Sequence, residues 1–96
     1  MPQIVKSPKA EIDLEDIWLY SFERWNEHQA DQYYDELIDG IKRLTDNPKL
    51  GKPCESIRRG YRSLQINRHV VYYRVQGQTI DIVRVLHERM EPTRHL

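Results

Sequence analysis

The chain has 96 residues, of which 39% are hydrophobic and 31% charged, and its formal net charge is zero. This length and composition predict one soluble globular domain, residues 1–96, with a small core. No apolar run approaches the roughly 20 residues of a membrane helix, and the N-terminus lacks the apolar centre of a secretory signal, so we expect a cytoplasmic protein. Cys54 is the single cysteine, which excludes an intramolecular disulfide, and we expect it to be a packing or loop residue.

The zero net charge is the sum of two unlike halves. Residues 1–57 hold 7 Lys and Arg against 12 Asp and Glu, whereas residues 58–96 hold 8 against 3. Every one of those 8 cations is an arginine. Guanidinium groups bind carboxylates and phosphates through paired hydrogen bonds, so this choice favours a binding surface, although an acidic pair of helices packed beside a basic sheet would give the same split.

The first half of the chain predicts a strand and two helices. Ile4 and Val5 indicate a short strand, and Ser7-Pro8 is a good helix start because Ser caps free amides and Pro at the first position loses no hydrogen bond. The first helix has one apolar stripe at three-and-four spacing and further apolar residues beside it, Ile12, Leu19 and Phe22. Asn26 with Gln29 predicts the cap of a second helix, which should end near Asp46-Asn47, before Pro48.

The second half predicts a loop and three strands. Residues 49–59 contain Gly and Pro without a period and are interpreted as a loop. Residues 61–66, 70–75 and 79–86 are rich in Val, Ile and Tyr, and short turns at 67–68 and 76–78 make them an antiparallel meander. In the last strand Ile80, Ile82 and Leu86 alternate with Val83 and Val85, so both faces are apolar and the strand should lie inside the sheet.

These elements predict the α+β fold class. The helices form an antiparallel hairpin on one face of a mostly antiparallel sheet, which consists of the three C-terminal strands and the N-terminal strand. The other face of the sheet should be concave and partly open.

Few residues suggest chemistry. His87 follows the last strand and is the best candidate for a catalytic acid or base, but a structural or docking role is favoured, because neighbouring side chains at a strand end diverge. The four histidines lack metal-ligand spacing, so no metal or cofactor is expected. Arg84 lies in an apolar strand and needs either a carboxylate partner or an open face.

Four stretches resemble a known family. They are the loop 47–51 (NPKLG), the run 61–64 (YRSL), the strand 69–75 (HVVYYRV) and the ending 82–90 (IVRVLHERM). Together with the element order, they are similar to the ParE toxins of the RelE/ParE superfamily of bacterial toxin-antitoxin systems. The resemblance implies a toxin that is neutralised by a ParD-type antitoxin and, when free, poisons DNA gyrase.

The same superfamily includes ribosome-dependent ribonucleases of the RelE type. These generally place lysine and arginine on the central strands and a tyrosine or histidine near the C-terminus. Here Val70, Glu88 and Arg94 stand at the corresponding positions, or Arg68, Arg89 and His95 if the short alignment slips. The full nuclease set is therefore not visible, which favours the ParE branch and a non-enzymatic toxin.

Two sets of site residues follow from the resemblance and the arginine pattern. Contact with DNA gyrase, with or without its DNA, is expected from the last strand and the tail: Arg84, His87, Arg89, Met90, Arg94 and His95. Contact with the antitoxin is expected from the first helix and the sheet: Ile12, Leu19, Phe22, Arg62 and Arg74. No small-molecule substrate or membrane partner is expected. The alternatives are an mRNA endoribonuclease with His87, Arg84 and Arg89 in its site, and a toxin whose activity has decayed.

Overall fold

The computed structural model of the chain describes residues 2–96 and confirms the α+β class. In chain order the elements are β1 (Gln3–Lys6), α1 (Pro8–Arg24), α2 (Glu27–Lys42), a 3₁₀ turn (Arg43–Thr45), β2 (Lys52–Pro53), β3 (Tyr61–Ile66), β4 (His69–Gln76), β5 (Thr79–His87) and a second 3₁₀ turn (Pro92–Arg94). The strands form one sheet in the order β1-β5-β4-β3-β2. β1 is parallel to β5 and the other neighbours are antiparallel. The prediction that the last strand lies inside the sheet is confirmed.

The helix caps are the predicted ones. The Ser7 hydroxyl accepts a hydrogen bond from the backbone N–H of Ala10 (3.0 Å), and Pro8 is the first helical residue. The Asn26 side chain accepts from the N–H of Gln29 (2.8 Å), so α2 begins directly after α1 ends. This short connection makes α1 and α2 an antiparallel hairpin.

The hairpin packs on one face of the sheet and forms the main core. Leu14 of α1, Leu37 of α2 and Leu44 of the first 3₁₀ turn meet sheet residues such as Val71 and Tyr73, all of them at most 2% exposed. Burial of these apolar side chains is the main stabilising contribution.

The other face of the sheet is less open than the sequence predicts. A second cluster of Cys54, Tyr61, Tyr72 and Leu86 is buried there, and the last residue, Leu96, packs against it. The loop after β2 and the C-terminal tail, residues 88–96, therefore cover part of this face. Cys54 is a packing residue, as predicted.

Two features of the sheet differ from the sequence prediction. Residues 49–59 are not entirely a loop, because Lys52 and Pro53 pair with Ser63 and Arg62 as the edge strand β2. A strand of two residues is too short to show an alternation of apolar and polar side chains in the sequence. The pairing arises because the loop lies beside β3.

The alternation in β5 is interrupted by a bulge. Tyr72 pairs with Arg84 and Tyr73 with Ile82, which leaves Val83 as an extra residue. Ile80 and Ile82 therefore share the helix-facing core with Val85, whereas Val83 and Leu86 belong to the opposite cluster. The predicted grouping of Leu86 with Ile80 and Ile82 is wrong because the extra residue reverses the side-chain direction.

Candidate functional site: the C-terminal end of the sheet and the outer surface of the helices

The edge of β5 beyond Ile82 is completed by a side chain of α1. β1 pairs with β5 only as far as Ile82, so the backbone beyond it has no neighbouring strand on that side. Asp13 of α1 takes that place. Its carboxylate accepts hydrogen bonds from Nε and Nη2 of Arg84, both at 2.8 Å, and from the N–H of Val85 at 3.0 Å.

The Asp13–Arg84 pair is shielded from solvent. The side chain of Arg84 is 15% exposed and that of Asp13 is 12% exposed. The hydrogen bonds to Asp13 raise the pKa of Arg84 above its ordinary value, although burial opposes this shift. The sequence required either a carboxylate or an open face for Arg84, and the structure provides the carboxylate.

Arg84 also holds the C-terminal tail. Its Nη1 donates to the carbonyl oxygen of His95 at 3.2 Å, and Leu96 packs into the second hydrophobic cluster. Earlier in the tail, at the start of the second 3₁₀ turn, the carboxylate of Glu91 accepts a hydrogen bond from the hydroxyl of Thr93 (3.1 Å). The tail is therefore fixed at both ends.

The predicted target-binding residues divide into three groups. Arg89, Met90 and Arg94 are exposed on the tail, and neither arginine forms a salt bridge within residues 2–96. His87 and His95 are half-buried. Arg84 lies beneath the tail, with its guanidinium committed to Asp13 and His95, so it positions the tail instead of facing a partner.

A cluster of ring side chains lies where β4 begins and β5 ends. The Tyr33 hydroxyl is 2.6 Å from Nδ1 of His69 and accepts from the N–H of Arg68 (3.2 Å). The His69 and His87 rings meet edge to face with centroids 5.3 Å apart. Nδ1 of His87 accepts from the N–H of Arg89 at 3.1 Å, so the ring is fixed to the first residues of the tail.

This cluster forms one wall of a cavity of about 450 Å³ under the C-terminal half of α1. The cavity is lined by Asp16, Ile17, Tyr20, Ser21, Trp25, Tyr33, Arg68, His69 and His87. Burial, and secondarily the neighbouring imidazole of His87, lowers the pKa of His69 from 6.5 to about 4, while burial raises the pKa of Tyr33. His69 is therefore neutral near pH 7.

The lowered pKa of His69 predicts an acid-sensitive stability. The unfolded chain binds a proton at this histidine more strongly than the folded one, so the free energy of unfolding falls as the pH decreases from about 6.5 to 4. Because solvent screens the half-buried ring, we expect His69 to account for only about 1 kcal/mol. Urea unfolding at pH 7 and 4.5 should show a smaller pH effect in His69→Gln than in the wild type. His28→Gln, on an exposed residue of α2, should leave the pH effect unchanged, and equal pH effects in all three proteins would contradict the prediction.

The residues predicted to contact the antitoxin do not form one patch. Ile12, Leu19 and Phe22 lie on the outer surface of α1 and are 55%, 49% and 45% exposed. Arg62 lies on β3, where its guanidinium donates to the carbonyl oxygens of Gly51 (2.9 Å) and Lys49 (3.2 Å). Arg74 lies on β4 and pairs with Asp81 at 3.3 Å. The two arginines are therefore engaged by the sheet and its loop, away from the apolar surface of α1.

Sequence reasoning missed Asp13, Tyr33 and His69. Asp13 was one of several carboxylates beside the apolar stripe of α1, and no local signal distinguished it from Asp16. Tyr33 lies among the apolar residues of α2, where packing is the ordinary role of a tyrosine. Over residues 2–96 there is no group of three His, Cys, Asp or Glu side chains that could hold a metal ion. None of the helices within that range is long and apolar enough to cross a membrane.

Solved structures share this arrangement of a helical hairpin on a five-stranded sheet. The chain resembles a solved structure described as the chromosomal ParDE TA system from P. aeruginosa, with a TM-score of 0.80 and 24% identity over 91% of this chain and 96% of the other. It also resembles the YoeB/ParE toxin from Agrobacterium tumefaciens, with a TM-score of 0.64 and 18% identity over 88% and 96% of the two chains. At these identities the likeness establishes the fold.

Sequence similarity establishes the family. The profile of the family described as "ParE toxin of type II toxin-antitoxin system, parDE" matches residues 4–92. Toxin ParE1 of Mycobacterium tuberculosis (strain H37Rv) is 48% identical over 91 residues, which are 94% of this chain and 93% of that protein. Toxin ParE1 of Caulobacter vibrioides is 44% identical over 90 residues, with the same coverage. The chain belongs to the ParE toxin family of type II toxin-antitoxin systems.

Proposed function

We propose that this toxin inhibits DNA gyrase by binding it through the C-terminal tail, and that a ParD-like antitoxin neutralises it. The observation that supports the gyrase contact is the contrast between the arginines of this region. The Arg84 guanidinium donates its hydrogen bonds to Asp13 and to the His95 carbonyl oxygen. Arg89 and Arg94, in contrast, lie on the fixed tail and form no salt bridge within residues 2–96. A fixed backbone with free guanidinium groups is organised to bind a partner.

The tail offers suitable chemistry for a macromolecular surface. Arg89 and Arg94 can bind carboxylates of a protein or phosphates of DNA through paired hydrogen bonds. Met90, 38% exposed between them, is an adaptable apolar contact. His95 and His87 lie at the two ends of this surface, and Arg84 acts indirectly by holding the tail in place.

The ribonuclease alternative receives less support from the geometry. Its proposed residues were His87, Arg84 and Arg89, and two of them are already hydrogen-bonded within the chain. The Arg84 guanidinium faces Asp13, and Nδ1 of His87 is occupied by the N–H of Arg89. A nuclease would need a base, an acid and a cation around one phosphate.

The proposed antitoxin contact rests on the exposed apolar surface of α1. Ile12, Leu19 and Phe22 are each about half exposed, which is unusual for three large apolar side chains on one helix of a small protein. An antitoxin segment that folds on binding could cover them. Arg62 and Arg74 contribute to this contact only if the antitoxin continues onto the sheet.

The gyrase proposal predicts a loss of inhibition when the free arginines are removed. The double variant Arg89→Ala/Arg94→Ala should require at least about tenfold more protein for half-inhibition of a supercoiling reaction, because each lost charge-assisted contact is worth about 1.5 kcal/mol or more. Point substitutions are preferable to removal of the tail, because truncation would also remove Leu96 from the second cluster.

The matched control is Arg58→Ala/Arg59→Ala, two exposed arginines near the β2–β3 connection, which should inhibit like the wild type. Normal supercoiling at a stoichiometric excess of the wild-type toxin would refute the gyrase proposal. Cleavage of mRNA between codons after induction would instead support the nuclease.

A further inference from the structure

The outer surface of the helical hairpin is strongly acidic. Residues 10–41 contain ten Asp and Glu residues, and Arg24 is the only Lys or Arg among them. The ten are Glu11, Asp13, Glu15, Asp16, Glu23, Glu27, Asp31, Asp35, Glu36 and Asp39. Within residues 2–96 only Asp13 of these forms a salt bridge. The protein therefore does not neutralise the charge of this surface itself.

The apolar stripe of α1 lies inside this acidic surface. At 100° per residue, Ile12, Leu19 and Phe22 fall within one sector of the helix of about 80°, and Glu15 falls within the same sector. All four side chains are exposed. Any partner that covers the stripe must therefore lie against carboxylates as well as apolar groups.

A groove between α1 and α2 adjoins the stripe. It has a volume of about 460 Å³ and is lined by Glu15, Trp18, Leu19, Asp31 and Tyr34. Trp18 stacks on Phe22 with ring centroids 5.3 Å apart and donates its indole N–H to Asp31 at 2.9 Å. The ring of Trp18 is thus fixed, and the groove is a preformed apolar recess with an exposed carboxylate on each helix, Glu15 and Asp31.

We propose that this groove binds an amphipathic segment of the antitoxin whose apolar side chains are flanked by lysine or arginine. The proposal rests on the proposed antitoxin contact with α1 and specifies the chemistry of the segment. Burial of Leu19 and Phe22 supplies the apolar contribution, while cations beside Glu15 and Asp31 match the charge of the surface. An acidic segment is disfavoured here, because each added carboxylate would face Glu15 and Asp31, neither of which forms a salt bridge within residues 2–96.

The charge complementarity also gives selectivity. The sheet and tail are rich in arginine, so an acidic segment is directed to that side of the molecule and a basic one to the helices. A partner that carries both kinds of segment in the right order would be held in one orientation.

The test measures binding of the toxin to its cognate antitoxin. In Glu15→Gln/Asp31→Asn the side-chain shapes and the acceptor for the Trp18 N–H are retained, but both charges are lost. The dissociation constant at 50 mM salt should rise on the order of tenfold, and this difference should shrink at 500 mM salt because the charges are screened. The matched control is Asp46→Asn/Glu55→Gln, on two exposed carboxylates outside the hairpin, which should bind like the wild type.

The outcomes separate this inference from the proposed function. Unchanged or tighter binding of Glu15→Gln/Asp31→Asn, with normal binding by the wild type, would overturn the cationic-segment inference alone. Absence of any binding by the wild type would overturn the proposed antitoxin partnership. Loss of binding in Leu19→Ser, together with no effect of Glu15→Gln/Asp31→Asn, would retain the α1 contact and reject its charge.

Discussion

Replacement of Asp13 by alanine is expected to lower the free energy of unfolding by about 3 kcal/mol. The substitution leaves the Arg84 guanidinium, 15% exposed, without its carboxylate and removes the acceptor of the Val85 N–H. Removal of one partner from a buried ion pair is strongly destabilising because the other charge stays buried without compensation. Urea unfolding at pH 7, with a constant dependence on denaturant, measures the difference.

A matched control distinguishes this effect from a general loss of charge on α1. Asp16→Ala removes an exposed carboxylate three residues later and should change stability by no more than about 0.5 kcal/mol. Asp13→Ala/Arg84→Met, in which both charges are absent, should recover part of the loss. If Asp13→Ala and Asp16→Ala were equally stable, the ion pair would not hold α1 to β5.

The same pair connects stability to the proposed function. Arg84 donates to Asp13 on one side and to the carbonyl oxygen of His95 on the other. Loss of Asp13 frees the guanidinium that holds the tail. Asp13→Ala should therefore weaken inhibition of gyrase although Asp13 does not reach the tail surface.

Tyr73→Phe is expected to cost about 2 kcal/mol, the second largest effect. The Tyr73 hydroxyl donates to the Pro48 carbonyl at 2.8 Å and accepts from the N–H of Gly51 at 2.9 Å. Without it, two backbone groups in a largely buried region lose their partners, and each such loss costs about 1 kcal/mol or more. The effect should appear as a lower midpoint of thermal and urea unfolding.

Tyr20→Phe is the matched control because the side chain is 60% exposed. It removes the same hydroxyl from a residue of α1 and should leave the unfolding midpoint unchanged. An equal midpoint for Tyr73→Phe would show that the loop 47–51 is held to the sheet by other contacts.

The Tyr73 contact also explains the glycine in that loop. A Cβ atom at Gly51 would lie 2.7 Å from both the Tyr73 hydroxyl and the backbone oxygen of Ser63. This close approach places the loop against β3. Lys52 and Pro53, the next two residues, then pair with β3 as the strand β2. The short strand Lys52–Pro53 is thus a consequence of a contact between residues 22 positions apart.

The sequence alone determined the local structure of this protein. Ser7-Pro8 and Asn26 defined the helix starts, because a capping side chain acts on amides two or three residues away. The turn at Asn67-Arg68 was equally readable, since Asn67 takes the left-handed conformation (φ 55°) that asparagine tolerates. The sequence also showed that α1 carries apolar residues beyond its core stripe. It showed as well that Arg84 needs either a carboxylate or an open face.

Only the tertiary structure decided which residues meet. The bulge at Val83 reversed the faces of the last strand, and a single extra residue leaves no mark on a strand that is apolar on both sides. Asp13 became the partner of Arg84, 71 positions away, because β1 ends at Lys6 and leaves the remaining edge of β5 to α1. Propensity and capping act over a few residues, whereas ion pairs and strand edges depend on distances that exist only after the chain has folded.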